Sequence, residues 1–174
     1  MKIIITSIAM LGILLPGMAQ NVKTTFQTSS HWKPTIDVRA DAVMVYGTGS
    51  SPQISFQERV DSWRKQGYTT HFMTGIAWGG YSDYFTGKWD GKQHMDEGQK
   101  DMKGDTIVHN PGTPYIVPTL NYLKYFKETQ IKPVIDAGIR EIFLEEPEFW
   151  AFAGYSESFK REWQAYYGFP WRAQ

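Results

Sequence analysis

Cysteine is absent from the 174 residues of this chain. No disulfide can therefore support the fold, which must rely on ordinary core packing. Net charge is absent as well, because 18 basic residues balance 18 acidic ones. A near-neutral surface gives no reason to expect a nucleic-acid partner.

No apolar run is long enough to cross a membrane. A mostly apolar run covers residues 3–15, whereas a membrane-spanning helix needs about 20 residues. Lys2 precedes this run, and Gly17 and Ala19 supply the small residues that a signal peptidase requires before its cut. The layout predicts a secretory signal peptide over residues 1–19, with the mature chain starting at Gln20.

The expected location follows from this leader. A lipid anchor needs a cysteine just after the cut, and the chain has none. We therefore expect an exported protein, periplasmic or extracellular, with no membrane anchor after cleavage.

Aromatic residues are abundant: 7 Trp, 10 Tyr and 10 Phe. Many lie in Gly-rich or polar surroundings, which favours a binding cleft or a partner surface. A well-filled core is the alternative interpretation.

The first part of the mature chain predicts a βαβ unit. Residues 20–41 are polar and without periodicity, so we expect a lead-in segment. Short β-rich runs at 42–46 and 68–78 predict strands, and the Ser55 and Glu58 capping box between them starts a helix. Strand, helix and strand with short links predict a parallel sheet.

The rest of the chain continues in the same style. A long polar loop follows the second strand, on the side of the strand's C-terminal end. The later predicted elements are a third strand at 115–119, helical pieces from 120 to 138, a fourth strand at 140–144 and a helix at 156–167.

Three carboxylates, Glu145, Glu146 and Glu148, follow the predicted fourth strand and precede Phe149 and Trp150. Functional residues of α/β proteins gather at the C-terminal ends of strands. We interpret the cluster as a catalytic candidate; a solvated acidic loop is the alternative.

Crowded carboxylates suit glycoside hydrolysis. Mutual repulsion and neighbouring rings raise the pKa of at least one acid, which can then protonate a leaving group while a second carboxylate acts as nucleophile or base. Glu145 and Glu146 cannot form that pair if they continue the strand, because adjacent side chains then point to opposite faces.

The motif Leu144-Glu145-Glu146-Pro147 resembles the fourth-strand motif of (β/α)8 glycoside hydrolases of the large retaining clan, which end that strand with Asn-Glu-Pro. The resemblance covers residues 42–168 and implies that Glu146 is the acid/base. Glu145 then stands where the family has Asn, and Glu148 remains a rival for the catalytic role.

Aromatic residues near the ends of the predicted strands fit a sugar site, because flat rings stack on sugar faces. The candidates for substrate binding are Tyr46, Trp78, Tyr81 and Trp150. We interpret His71 as a packed core residue. His94 and His109 lie in the long loop near several Asp residues without a recognisable ligand spacing, so we expect neither a metal nor a cofactor.

The expected fold class is α/β, as a partial (β/α)8 TIM barrel holding about the first four βα units. Residues 42–174 would be the N-terminal part of a truncated catalytic domain, because the family's nucleophile lies on the seventh strand. We expect this fragment alone to be inactive. The alternatives are a non-catalytic exported module that binds carbohydrate or another surface, and a half-barrel that dimerises.

Overall fold

The computed structural model describes residues 22–49, 53–79 and 81–173. The predicted signal peptide at 1–19 and the predicted cleavage site lie outside the described residues. Within the described ranges, no helix has the length and apolar character needed to cross a membrane.

The described residues form an α/β fold with a parallel sheet. The strands are β1 (Thr25–Thr28), β2 (Ala42–Tyr46), β3 (Thr69–Gly75), β4 (Val108–Asn110), β5 (Thr113–Pro114) and β6 (Ile142–Glu145). The α-helices are α1 (Phe56–Arg64), α2 (Ser82–Phe85), α3 (Leu120–Phe126), α4 (Lys132–Asp136) and α5 (Glu157–Tyr167).

The main sheet has the order β1-β2-β3-β6, and each neighbouring pair is parallel. Its strands therefore lie side by side in the order in which the chain makes them. The predicted parallel sheet is confirmed, and β2, β3 and β6 overlap the predicted strands.

The first strand was not predicted. β1 lies within the segment interpreted as a lead-in, and it pairs Thr25 with Ala42 and Phe26 with Val43. Its four residues contain one apolar side chain, Phe26, so the sequence carries no strand-like pattern there.

The predicted strand at 115–119 is wrong. Tyr115, Ile116 and Val117 are buried, but their amides donate to Ile107, Ala77 and Glu97, none of which belongs to the main sheet. The segment lies outside the main sheet and pairs with the long loop. Its residues are apolar because that loop buries them.

Helices pack on one face of the sheet. Their shared core joins Val43, Val45 and Phe72 of the strands to buried residues of the helical layer, which are Phe56, Val60, Trp63, Val134 and Ala137. The helix starts follow their local signals, since Ser55 and Glu58 form the predicted capping box.

A second core lies beyond the C-terminal end of β3. It consists of the buried rings and chains of Tyr81, Tyr84, Phe85, Ile116, Tyr122, Tyr125 and Phe126. The loop that follows α2 is ordered by this core and by the β4–β5 hairpin. A π-helical turn at Lys127–Ile131 joins α3 to α4.

Candidate active site

A tyrosine and a glutamate meet at the C-terminal edge of the main sheet. Tyr46 pairs with Met73, and Glu145 pairs with Gly75 two residues farther along β3. Both side chains therefore lie on the same face of the sheet. Gly75, which has no side chain, lies on the strand between them, and Tyr46 and Glu145 line the same cavity.

This environment fixes the protonation of the tyrosine. Burial, and secondly the neighbouring Glu145 carboxylate, raises the pKa of Tyr46 to about 12. The phenol is therefore neutral and able to donate a hydrogen bond at ordinary pH.

Gly75 is also required by the chain that follows it. A Cβ atom at this position would lie 2.6 Å from the main-chain oxygen of Trp78. The Gly75 carbonyl accepts a hydrogen bond from the hydroxyl of Tyr81, which belongs to the second core. The tight turn after β3 therefore places Trp78 directly over the strand end.

Glu146 leaves the strand geometry. Its φ is +48°, in the left-handed region that non-glycine residues rarely adopt. The amide of Glu148 donates to the Glu146 carbonyl at 2.8 Å, which closes a short turn around Pro147. The expected alternation of Glu145 and Glu146 therefore does not apply, because β6 ends at Glu145.

The turn brings Glu146 against the indole of Trp78. Trp78 Nε1 donates a hydrogen bond to Glu146 Oε2. Trp78 also lines a cavity with Glu145. The structure thus brings Glu145, Glu146 and the two predicted aromatic residues Tyr46 and Trp78 to one place.

A histidine that was considered only as a metal ligand completes this group. The His109 ring stacks on Trp78 with centroids 3.8 Å apart and planes 2° from parallel. His109 Nδ1 lies 3.1 Å from the Tyr115 hydroxyl. One face of the indole is therefore covered by the β4–β5 hairpin.

The third acid has a different environment. Oε2 of Glu148 is buried and has no hydrogen-bond partner among the described residues. Burial, followed by the neighbouring Glu148 carboxylate, raises the pKa of Tyr115. Glu148 lines an apolar cavity of about 320 Å³ together with Ile116 and Phe149, away from the Tyr46 and Trp78 group.

A fully buried glutamine holds the acidic loop in place. Gln99 Nε2 donates to the carbonyls of Glu148 at 2.8 Å and Ile116 at 3.1 Å. Its Oε1 accepts from the Trp150 amide at 3.2 Å. No local pattern predicts this role, because the contacts with Glu148 and Trp150 span about fifty positions.

A cavity of about 380 Å³ opens between the strand ends. It is lined by Gln27, Thr28, Ser29, Tyr46, Trp78 and Glu145. The three residues at and just after the end of β1 were missed, because the lead-in segment was not expected to reach the sheet. The cavity is bounded by a carboxylate, a phenol, an indole and uncharged polar groups.

Two predicted aromatic residues lie elsewhere. Tyr81 is 4% exposed and packs against Tyr122 and Tyr125, so it supports the strand end from within the second core. Trp150 is 37% exposed and meets the Tyr115 ring edge-on with centroids 5.6 Å apart. Trp150 thus lies on the Glu148 side of the site.

Two other histidines, His71 and His94, lie close to acidic side chains. His71 is buried in β3, with Nε2 3.2 Å from Glu141 Oε2. The ring nitrogens of His94 face Asp90 at 3.1 Å and Glu97 at 3.4 Å. Within the described ranges, no group of three or more His, Asp or Glu side chains is arranged to hold a metal ion.

Comparisons of this chain with models of known protein families, with curated proteins and with solved structures find no match.

Proposed function

We propose that this protein is an exported glycoside hydrolase in which Glu146 is the general acid/base. The observation that carries the proposal is the group at the sheet edge: Glu146 is held by the Trp78 indole, beside the cavity that Trp78, Tyr46 and Glu145 line. Two carboxylates, an aromatic platform and a cavity meet there, which are the parts that glycoside hydrolysis uses.

In the proposed reaction, Glu146 donates a proton to the glycosidic oxygen as a carboxylate nucleophile, which the resemblance implies on a later strand, displaces that oxygen from the anomeric carbon. The resulting Glu146 carboxylate then takes a proton from the water that displaces the nucleophile from the anomeric carbon. Trp78 orients the acid through Nε1 and offers its uncovered face to a sugar ring. Glu145 accepts hydrogen bonds from sugar hydroxyls where related enzymes would use Asn.

The environments of the acids favour Glu146 over Glu148. Glu146 is exposed beside the cavity that Trp78 and Glu145 line. Glu148 lines the separate apolar cavity, and one of its oxygens is buried. A substrate that lies against Trp78 is therefore next to Glu146, which the indole contacts.

We further propose that the main sheet is the first part of a (β/α)8 barrel. Parallel strands in sequential order with helices on one face are the arrangement of such a barrel. The outer strand β6 also leaves Phe143 and Leu144 42% and 46% exposed, as expected of a strand that packs against further chain. In this arrangement the resemblance implies that the nucleophile belongs to a later strand.

Export is proposed from the leader sequence alone. Mass spectrometry of the protein recovered from the cell envelope or medium is expected to give an N-terminus at Gln20. A mature protein that retains Met1 would contradict export by this leader.

The test of the function compares Glu146→Gln with Glu148→Gln in the full-length protein. Hydrolysis of a panel of glycosides and oligosaccharides is measured together with binding of the same sugars. We expect Glu146→Gln to abolish hydrolysis and retain binding, while Glu148→Gln retains both. Unchanged turnover by Glu146→Gln would contradict the assignment, and binding without hydrolysis by the wild type would favour a carbohydrate-binding module.

A further inference from the structure

A larger polar cavity adjoins the proposed active site. It has a volume of about 910 Å³ and shares Ser29 and Tyr46 with the cavity at the strand ends. It extends over the ends of β1 and β2 and is lined chiefly by hydroxyl, amide and charged groups. We call it the polar cleft.

A buried cation lies in the wall of the polar cleft. Arg59 is 6% exposed, and its guanidinium donates to the carbonyls of Ser29, Tyr46, Gly47 and Gly49 at 2.7–3.1 Å. Burial lowers the pKa of Arg59, yet a guanidinium keeps its charge in proteins. Nε has no hydrogen-bond partner among the described residues.

The four carbonyl groups accept the hydrogen bonds of this guanidinium, but none of them carries a negative charge that would neutralise it. Burying a charge without a counter-charge is costly, and no carboxylate lies within ion-pair distance of Arg59 in the described part of the chain. Lys33 and His31 line the same cleft, and the one described acid in its lining, Asp83, accepts a hydrogen bond from the Tyr125 hydroxyl at 2.6 Å.

Charge is therefore segregated along the edge of the sheet. Basic groups dominate the β1 and β2 side, whereas Glu145, Glu146 and Glu148 all lie on the β6 side. A ligand that carries negative charge at one end is drawn to the first side and repelled from the second. Its orientation along the edge is thereby fixed.

We infer that the polar cleft binds the acidic groups, carboxylate or sulfate, of a glycan whose scissile bond lies at Glu146. This inference rests on the proposed function and adds its substrate class. The positive charge of Arg59 acts through the cleft wall, and Lys33 reaches the ligand from the exposed rim. The hydroxyl and amide groups of the cleft bind the sugar hydroxyls.

The test measures binding to this chain by calorimetry with two matched pairs of probes. One pair is an oligogalacturonide and its methyl ester, and the other is a sulfated galacto-oligosaccharide and its desulfated form. We expect at least one acidic probe to bind about tenfold more tightly than its neutral partner. This preference should shrink when salt is raised from about 50 to about 300 mM.

Variants locate the effect. Lys33→Gln should weaken binding of the preferred acidic probe about two- to fivefold and leave its neutral partner unchanged. Lys103→Gln, at an exposed position outside the cleft, is the matched control and should change neither. Equal binding within both pairs, or equal effects of the two variants, would overturn the inference while leaving a glycan-binding protein. Failure of every probe to bind would count against the proposed function as well.

Discussion

Trp78 and His109 stack face to face with ring centroids 3.8 Å apart, although 31 positions separate them in the chain. The same indole donates a hydrogen bond from Nε1 to Glu146. His109 is therefore linked to the proposed acid, Glu146, through the Trp78 ring. A ligand cannot reach the indole face that His109 covers. The opposite face of Trp78 is the one that we propose stacks on a sugar ring.

His109→Ala is expected to lower the free energy of unfolding by about 1 kcal/mol, because the stacked pair and the contact with Tyr115 are lost. His109→Phe keeps a flat ring over Trp78 and should retain most of this stability. Urea unfolding measures both. Equal losses in the two variants would show that stacking contributes nothing and that the Tyr115 contact carries the effect.

Gly75→Ala tests the close approach beneath the site. A Cβ atom 2.6 Å from the Trp78 oxygen must displace main chain, so the variant is expected to lose about 1–3 kcal/mol of unfolding free energy. Gly49→Ala is the matched control, because no atom of the described residues lies within 4 Å of a Cβ there. Similar stability of the two variants would contradict the proposed packing of the turn.

Gln99→Leu tests the support of the acidic loop. The substitution keeps the side-chain volume but leaves the carbonyls of Glu148 and Ile116 and the amide of Trp150 without their partner, so we expect a loss of about 1–3 kcal/mol. Gln66→Leu, at an exposed turn, should change stability by less than about 0.5 kcal/mol. Urea unfolding compares them.

The pair of Tyr46 and Glu145 predicts a pH dependence. The folded-state pKa of Tyr46, about 12, lies above the ordinary tyrosine value of 10.0. The contribution of Tyr46 to stability is therefore present below pH 10 and is lost as the pH rises through 12. Tyr46→Phe should remove a late step from the tyrosinate absorbance titration. Glu145→Gln should move that step to lower pH, and an unmoved step would contradict an effect of the Glu145 carboxylate on Tyr46.

Local signals in the sequence predicted those parts of the fold that depend on neighbouring residues. Ser55 and Glu58 lie three positions apart, so their capping box could be recognised directly, and the acids at the end of β6 were found because they lie within four positions of the chain. β1 was missed because its pairing with β2, not its own composition, makes it a strand. The predicted strand at 115–119 is wrong because burial under a loop and burial in a sheet produce the same apolar run.

The site shows the same division between residues with a local sequence signal and residues whose roles depend on long-range contacts. The sequence predicted that Tyr46, Trp78 and Glu146 lie at or just after strand ends, but the hydrogen bond from Trp78 to Glu146 joins residues 68 positions apart. The roles of His109 and Gln99 depend on how the long loop folds back over the sheet. No local pattern encodes that path.

The most direct measurement of the central claim is the dependence of Glu146→Gln on the leaving group in the full-length protein. A glycoside with an unactivated alcohol needs a proton from the acid, whereas one with dinitrophenolate departs without it. We predict that the substitution lowers kcat/KM, which reports the step in which the leaving group departs, about 100- to 10,000-fold for the first substrate and far less for the second. An equal loss for both substrates, or no loss for either, would contradict the role of Glu146 as the acid.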